Sequence, residues 1–410
     1  MKGRIAVSCT AADTKMPKKL SEILMSSFFG CENLACDCQK DIINVAPGAD
    51  PQTTLKICGD VHQPLKFSYM PQKGLNLSGN AGGVIQSNVL GKLLAIKDGD
   101  IDAHIQFFQQ YGFLVPIGTE EYESIEAAQI MEFVNRIKAT VKLMNAIAGQ
   151  KNYKNIVIMT SYLLFSDPIE IPLSTGVLTS CPHLFTQYLR EYNAFPDMNF
   201  NQEAFNTGKF SVDDTLVGGT NLVEMTFFNA VRSGSGLPTT PGSDSQPFKH
   251  LVAMYTGLND ADADLRLLID FFYHYQLQRG IIKTASHNRL TYYSQTDSFD
   301  FSEEMKAALV RIARIVVSAE INHYISTIHP AIAPETLEPE WRLDSLLEAI
   351  YFSLFYMKPG VEIYKECQNP SCKREVYFLV NATATNKKYC CPACANAAAQ
   401  RRARERKMNK

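Results

Sequence analysis

The sequence predicts a mainly α-helical chain that opens with an α/β segment and closes in a small module held together by cysteines. Short apolar runs broken by turn formers fill residues 1–80. Apolar side chains at three- and four-residue steps recur through residues 81–360. Four cysteines in two close pairs, Cys367 with Cys372 and Cys390 with Cys394, then precede an alanine- and arginine-rich stretch in residues 361–410. At 410 residues and 46% hydrophobic content the chain is long enough for two or three domains with sizeable cores.

In the first segment Thr54–Cys58 and Leu65–Tyr69 read as strands, and Asn44–Gly48 and Tyr69–Pro71 read as turns. In the helical body Ile130, Phe133, Val134, Ile137, Val141 and Met144 fall on one helical stripe, with Gly149 as a stop. The same spacing recurs at Leu265, Leu268, Ile269 and Phe272, at Met305, Leu309, Ile312, Val316 and Ala319, and at Leu343, Leu346, Leu347, Ile350 and Leu354. Pro359-Gly360 breaks the last of these. Residues 233–245, rich in Ser, Gly, Pro and Thr, cannot contribute much to a core and read as a linker within the body.

The cysteine pairs have the spacings C-x4-C and C-x3-C, separated by seventeen residues. Two short-spaced thiolate pairs brought together from different chain segments are the usual means of building a tetrahedral structural Zn²⁺ site, so Cys367, Cys372, Cys390 and Cys394 are the expected ligands. Between the pairs, Glu375–Val380 reads as a strand, Asn381–Asn386 as a turn and Lys387–Tyr389 as a return strand. Pro392 suits a first helical turn, and the residues after it up to Lys407 are strong helix formers. Cys390 then lies just before the helix and Cys394 in its first turn, where free N–H groups favour thiolates. A knuckle, a hairpin and a ligand-bearing helix together make a treble-clef-like zinc finger. Cys391 is an alternative to Cys390 as third ligand; a strand ending at Tyr389 favours Cys390. Lys373, Arg374, Lys387 and Lys388 are placed to offset the negative charge of four thiolates around one dication.

The stretch Cys367-Gln-Asn-Pro-Ser-Cys372, the aromatic pair Tyr377-Phe378, the Lys-Lys-Tyr before Cys390, and Cys394-Ala-Asn396 leading into an arginine-rich helix resemble the CGNR-type zinc finger of bacterial transcription regulators. The resemblance spans about the last fifty residues. Ala395 and Ala397 stand where that family has its glycine and arginine, and the second pair is one residue shorter. It implies DNA binding in transcriptional control.

Charge distribution points the same way. Residues 361–410 hold eleven Lys/Arg against four Asp/Glu, a net +7, which leaves 29 against 38, or −9, for residues 1–360. An acidic body with a basic tail suits a nucleic-acid reader whose tail supplies the phosphate contacts, here Arg401, Arg402, Arg404, Arg406 and Lys407. Arg401 and Arg404 share a helical face with Lys407 or Gln400 at three- and four-residue steps. The expected function is therefore a zinc-dependent DNA-binding regulator whose helical body senses a ligand or partner, or pairs with a second copy. Two other classes stay open: an interaction scaffold with a structural finger, and an enzyme of unrecognised type targeted to nucleic acid. No nucleophile–His or acid–base pairing stands out, so an enzyme is not expected.

The start of the chain lacks a secretory apolar stretch, and no segment approaches the ~18 consecutive apolar residues of a membrane span, so a cytoplasmic location is expected. Cys31, Cys36, Cys58 and His62 repeat a ligand-like spacing, C-x4-C and C-x3-H; the same cysteines also suit buried strand positions. Glu320 and His323, three apart on a helix, resemble half of a di-metal carboxylate site without its second half. Gly79–Gly83 reads as a loop leading into a helix, and His274 as a packed residue.

Overall fold

The computed structural model describes residues 29–43, 51–70, 74–78, 84–148, 151–183, 282–292, 301–332, 339–357, 362–372, 376–384 and 386–408, with Leu337 and the helical residues 263–265, 267–268, 271–272 and 275. The linker 233–245, the loop 79–83 and His274 lie outside the described residues.

Two long strands dominate the first part, β1 (Phe29–Ile43) and β2 (Gln52–Met70). They pair antiparallel, with an irregularity in register between Leu34 and Ala35. Its effect is legible in burial: Cys31, Asn33 and Ala35 face inward before and at the irregularity, Cys36 and Cys38 after it. Three β2 residues between Asp60 and Pro64 have no partner on β1, and an odd number of unpaired residues moves the inward set of β1 from odd to even positions. Strands β3 (Gly74–Ser78) and β4 (Val84–Asn88) extend the sheet. Helices α1 (Val89–Ala95) and α2 (Ile101–Tyr111) follow, capped by the Asn88 and Asp100 side chains. Gly112 ends α2 with φ of 79°; a Cβ there would meet the Leu34 carbonyl oxygen at 2.4 Å, so the bulge and the helix end approach each other through a residue that must be glycine.

Strand β5 (Glu123–Glu126) adds to the other half of β2 and runs into α3 (Ala127–Ala148). Helix α4 (Tyr153–Phe165) is buried from Ile156 to Leu164, so it is enclosed by neighbours on every side. The hairpins β6 (Glu170–Leu173)/β7 (Gly176–Thr179) and β8 (Ile282–Ser286)/β9 (Arg289–Tyr292) precede α5 (Glu303–Ile325). Ser302 caps α5, and Glu303 and Glu304 sit in its positive first turn. Strands β10 (His329–Ile332) and β11 (Pro339–Leu343) then return to the large sheet, β11 lying parallel to β1, to give the order β10-β11-β1-β2-β3-β4 with β5 also on β2. Helix α6 (Leu346–Tyr356) packs on α5.

The fold is mixed α/β, which corrects the expectation of a mainly α-helical chain with its strands gathered before residue 80. The periodicities over 130–144 and 305–319 are the buried faces of α3 and α5, and the expected strands are the two halves of β2. Strands β10 and β11 escaped notice because each holds a proline, which alternation rules discount, and because their partners lie far away in sequence. Leu343, expected to open the last helix, instead closes β11: Ser345 accepts from the Glu348 N–H at 3.1 Å, and Glu348 accepts from the Asp344 N–H at 2.7 Å, a capping pair that starts the helix at Leu346.

Candidate metal centre

The last module consists of β12 (Glu362–Glu366), β13 (Tyr377–Asn381) and α7 (Pro392–Met408). Strand β13 pairs antiparallel with β12, upstream of the first cysteine pair, and not with Lys387–Tyr389, which form no strand. The expected hairpin between the pairs is thus replaced by one that carries the first pair at its turn. Tyr364 is buried at 4% exposure, giving β12 an apolar anchor that its neighbours Glu362, Lys365 and Glu366 conceal in sequence.

Backbone bonds shape the ligand loop. The Cys367 N–H donates to the Val376 carbonyl at 2.6 Å and the Cys372 N–H to the Asn369 carbonyl at 2.9 Å, which closes a tight knuckle. Gln368 N–H donates to the Lys388 carbonyl at 2.9 Å and so draws the second pair alongside the first. Helix α7 begins at Pro392, with Cys390 before it and Cys394 in its first turn.

The result is a cluster of sulfurs. Those of Cys367, Cys372, Cys390 and Cys394 all lie within 4.8 Å of one another. Cys372 and Cys390 are 3.7 Å apart, Cys390 and Cys394 3.6 Å, and Cys372 and Cys394 3.7 Å. Sulfurs about 2.3 Å from a central ion at tetrahedral angles are ~3.8 Å from each other, and these three distances are close to that spacing. Cys391 sulfur approaches Cys390 at 3.7 Å but does not belong to the group of four. Burial, and then hydrogen bonds with Cys394, Cys372, Cys391 and Cys367, push the Cys390 thiol up from its ordinary range. A cation among the four would reverse that balance, and the geometry is compatible with a metal site.

Around the cluster, Phe378 and Val380 pack with Cys367 and Cys394, and the Lys387 ammonium lies 5.5 Å from the centre of the Phe378 ring. On α7, Cys394 and Ala398 are buried and Arg401 is half-buried, so this stripe faces the knuckle. Arg401 donates to Ser371 Oγ at 2.7 Å and reaches Asn369 Oδ1 at 3.5 Å. Arg402, Arg404, Arg406 and Lys407 are exposed. Lys373 and Arg374 lie outside the described residues.

The module sits on the body. Asn145 of α3 donates to the Tyr364 carbonyl at 2.8 Å and accepts from the Tyr364 N–H at 3.0 Å, satisfying both backbone groups of one residue of β12. A Cβ on Gly91 would stand 2.7 Å from the Tyr377 carbonyl, so α1 meets β13 through a residue without a side chain.

The N-terminal Cys/His set does not assemble. Cys31 and Cys36 are buried and donate to the Ser345 and Phe108 carbonyls, Cys58 pairs opposite Asp37 on the other strand face, and His62 is exposed. These cysteines are small core residues, and burial pushes Cys36 and Cys38 up to about 12. Glu320 and His323 likewise part company. Glu320 is fully buried and accepts from Arg136, His183 (2.7 Å) and Tyr351 (3.3 Å), whereas the His323 ring lies 3.3 Å from the Thr179 carbonyl. Cys181, His183 and Glu320 bring ligand-type atoms within 4.8 Å of each other, but Arg136 already neutralises the carboxylate. Burial would raise Glu320, yet the Arg136 and His183 side chains outweigh it and hold the carboxyl below its usual range. Sequence reading missed this network because its members are scattered from residue 136 to residue 351 with no shared spacing.

No known family model, curated protein or solved structure matches the chain. Among the described residues no helix is long and apolar enough to cross a membrane.

Proposed function

We propose that Cys367, Cys372, Cys390 and Cys394 hold one structural zinc ion in a treble-clef-like finger, and that α7 carries the finger's contacts to nucleic acid, DNA foremost. The α/β body is then the ligand- or partner-sensing part of a transcription regulator. The observation that carries this reading is a four-sulfur cluster at tetrahedral spacing at the foot of a helix with exposed Arg402, Arg404, Arg406 and Lys407. Zinc is favoured by an all-sulfur, half-buried, closed set of four. Among these cations Arg401 serves the knuckle and Arg402 donates to the Ala398 carbonyl of its own helix at 3.3 Å. Arg404 and Lys407 lie three apart on a flank shared with Gln400 and Asn396, a face able to meet successive phosphates with amide side chains alongside.

Elemental analysis of protein purified without chelators should return one zinc per chain, and Cys390→Ser should lose it while Cys391→Ser keeps it. DNA affinity should fall with salt at a log–log slope near −0.9 per phosphate contact, and neutralising Arg404 and Lys407 together should make the slope shallower by about two units with zinc retained. Arg401→Ala should instead loosen the knuckle. A wild-type chain with no affinity for DNA or RNA at low salt would transfer the finger to the class of protein-interaction modules.

A further inference from the structure

Where the body meets the cysteine module, a cleft of about 410 Å³ opens between the end of α1, helix α3 and the ends of β12 and β13 next to the knuckle. Its wall combines apolar surface from Leu94, Val141 and Tyr377 with Lys138 and Lys142 of α3. The charges are not equivalent. Lys138 is buried at 2% exposure and committed, donating to the Ile96 carbonyl at 2.8 Å and to Asp98 at 3.0 Å. Asp98 is committed in turn, to Lys138, to Asn288 at 2.6 Å and to His287 at 2.9 Å. Lys142, half-buried, makes one hydrogen bond among the described residues, to Asn288 Oδ1 at 2.8 Å, and an ammonium has three protons to give. Glu366, the acid on the module's side, is exposed at the rim. The interior thus presents one underused cation beside an apolar wall.

We propose that this cleft binds a small organic anion, its carboxylate or phosphate on Lys142 and its apolar body against Leu94, Val141 and Tyr377, and that the bound anion stiffens the seat of the cysteine module. Transmission is built into the wall. Asn145, which lines the cleft, holds Tyr364 of β12 through both backbone groups, and Glu366, which also lines it, immediately precedes Cys367. An occupant therefore touches the clamp and the root of the first cysteine pair together. The proposal rests on the reading of the body as a ligand sensor, and supplies the ligand class and the route.

The test uses the full chain with zinc and three probes: phenyl phosphate, benzoate and uncharged phenol. Titration calorimetry should show phenyl phosphate or benzoate binding with a dissociation constant on the order of 1 mM or tighter, the stronger of the two identifying the headgroup, with phenol far weaker. Lys142→Met should weaken that binding at least tenfold, while Lys97→Met on the rim should not. The bound anion should slow removal of zinc by a chelator in wild type and not in Lys142→Met. Burial lowers the Lys142 amine from its ordinary range; the bound anion should protect it from acylation, read by mass spectrometry on the wild-type chain, a readout that survives if the variant fails to fold. Absence of anion binding, equal binding by Lys142→Met, or an unchanged chelation rate would each overturn the proposal. Anion binding with the expected Lys142 dependence in a chain that ignores DNA would leave the cleft standing and remove only the nucleic-acid reading.

Discussion

At the scale of single residues, burial determines which ionisable groups can change state. His104 is 1% exposed; its Nδ1 lies 2.6 Å from the Asp100 carbonyl, and its Nε2 has no partner among the described residues. A carbonyl partner requires the proton on Nδ1, so charging the ring would put a bare N–H on Nε2 in the core. Burial lowers the ring's pKa first, the Asp100 carbonyl opposes this, and Lys138 lowers it further. His287 is lowered too, by burial against the pull of Asp98. A folded pKa below the unfolded value of ~6.5 means the unfolded chain binds more protons just under that pH, so this stability is complete above it and is lost as pH falls. Denaturant unfolding at about pH 7.5 and about pH 5.5 should show a loss on acidification that shrinks in His104→Asn. An equal loss in the variant would assign the effect elsewhere.

Among elements, the informative joint is that between α3 and β12. Asn145 replaces a neighbouring strand for one residue, offering its amide to both backbone groups of Tyr364. Truncation to alanine leaves a buried strand residue short of two hydrogen bonds and should cost about 1–3 kcal/mol. If the loss is local, hydrogen exchange at Tyr364 and its neighbours should quicken while the amides of α5 keep their protection. Uniform acceleration throughout the chain would mean that the module and body unfold as one unit.

Across the whole molecule, Arg136, Glu320 and His183 join α3, α5 and the segment after β7, Arg136 and Glu320 lying 184 positions apart in sequence. Both members of the ion pair are essentially without solvent, at 1% and 0% exposure. Such a pair adds little net stability relative to an apolar replacement, but removing one partner strands the other charge. Glu320→Gln should therefore destabilise the fold by about 3–5 kcal/mol, read as a lower denaturant midpoint with the slope preserved. A change under 1 kcal/mol would show that Arg136 finds another acceptor.

The sequence by itself determined what depends on neighbours along the chain. Apolar steps of three and four residues marked α3 and α5, Pro392 and the alanine run marked α7, and two short cysteine spacings marked the four sulfurs that the structure brings together. Each of these signals is local, because helix geometry and short-spaced ligand loops are set within a few residues. Only the tertiary structure decided pairing and environment. It gave β13 to β12 in place of Lys387–Tyr389, carried β10 and β11 back to β1, turned Arg401 from an outward cation into a brace for Ser371, and buried Cys31, Cys36 and Cys38 as core. Strand partners and desolvation are fixed by contacts between residues tens to hundreds of positions apart, and alternation or charge in one segment does not say which distant surface will cover it.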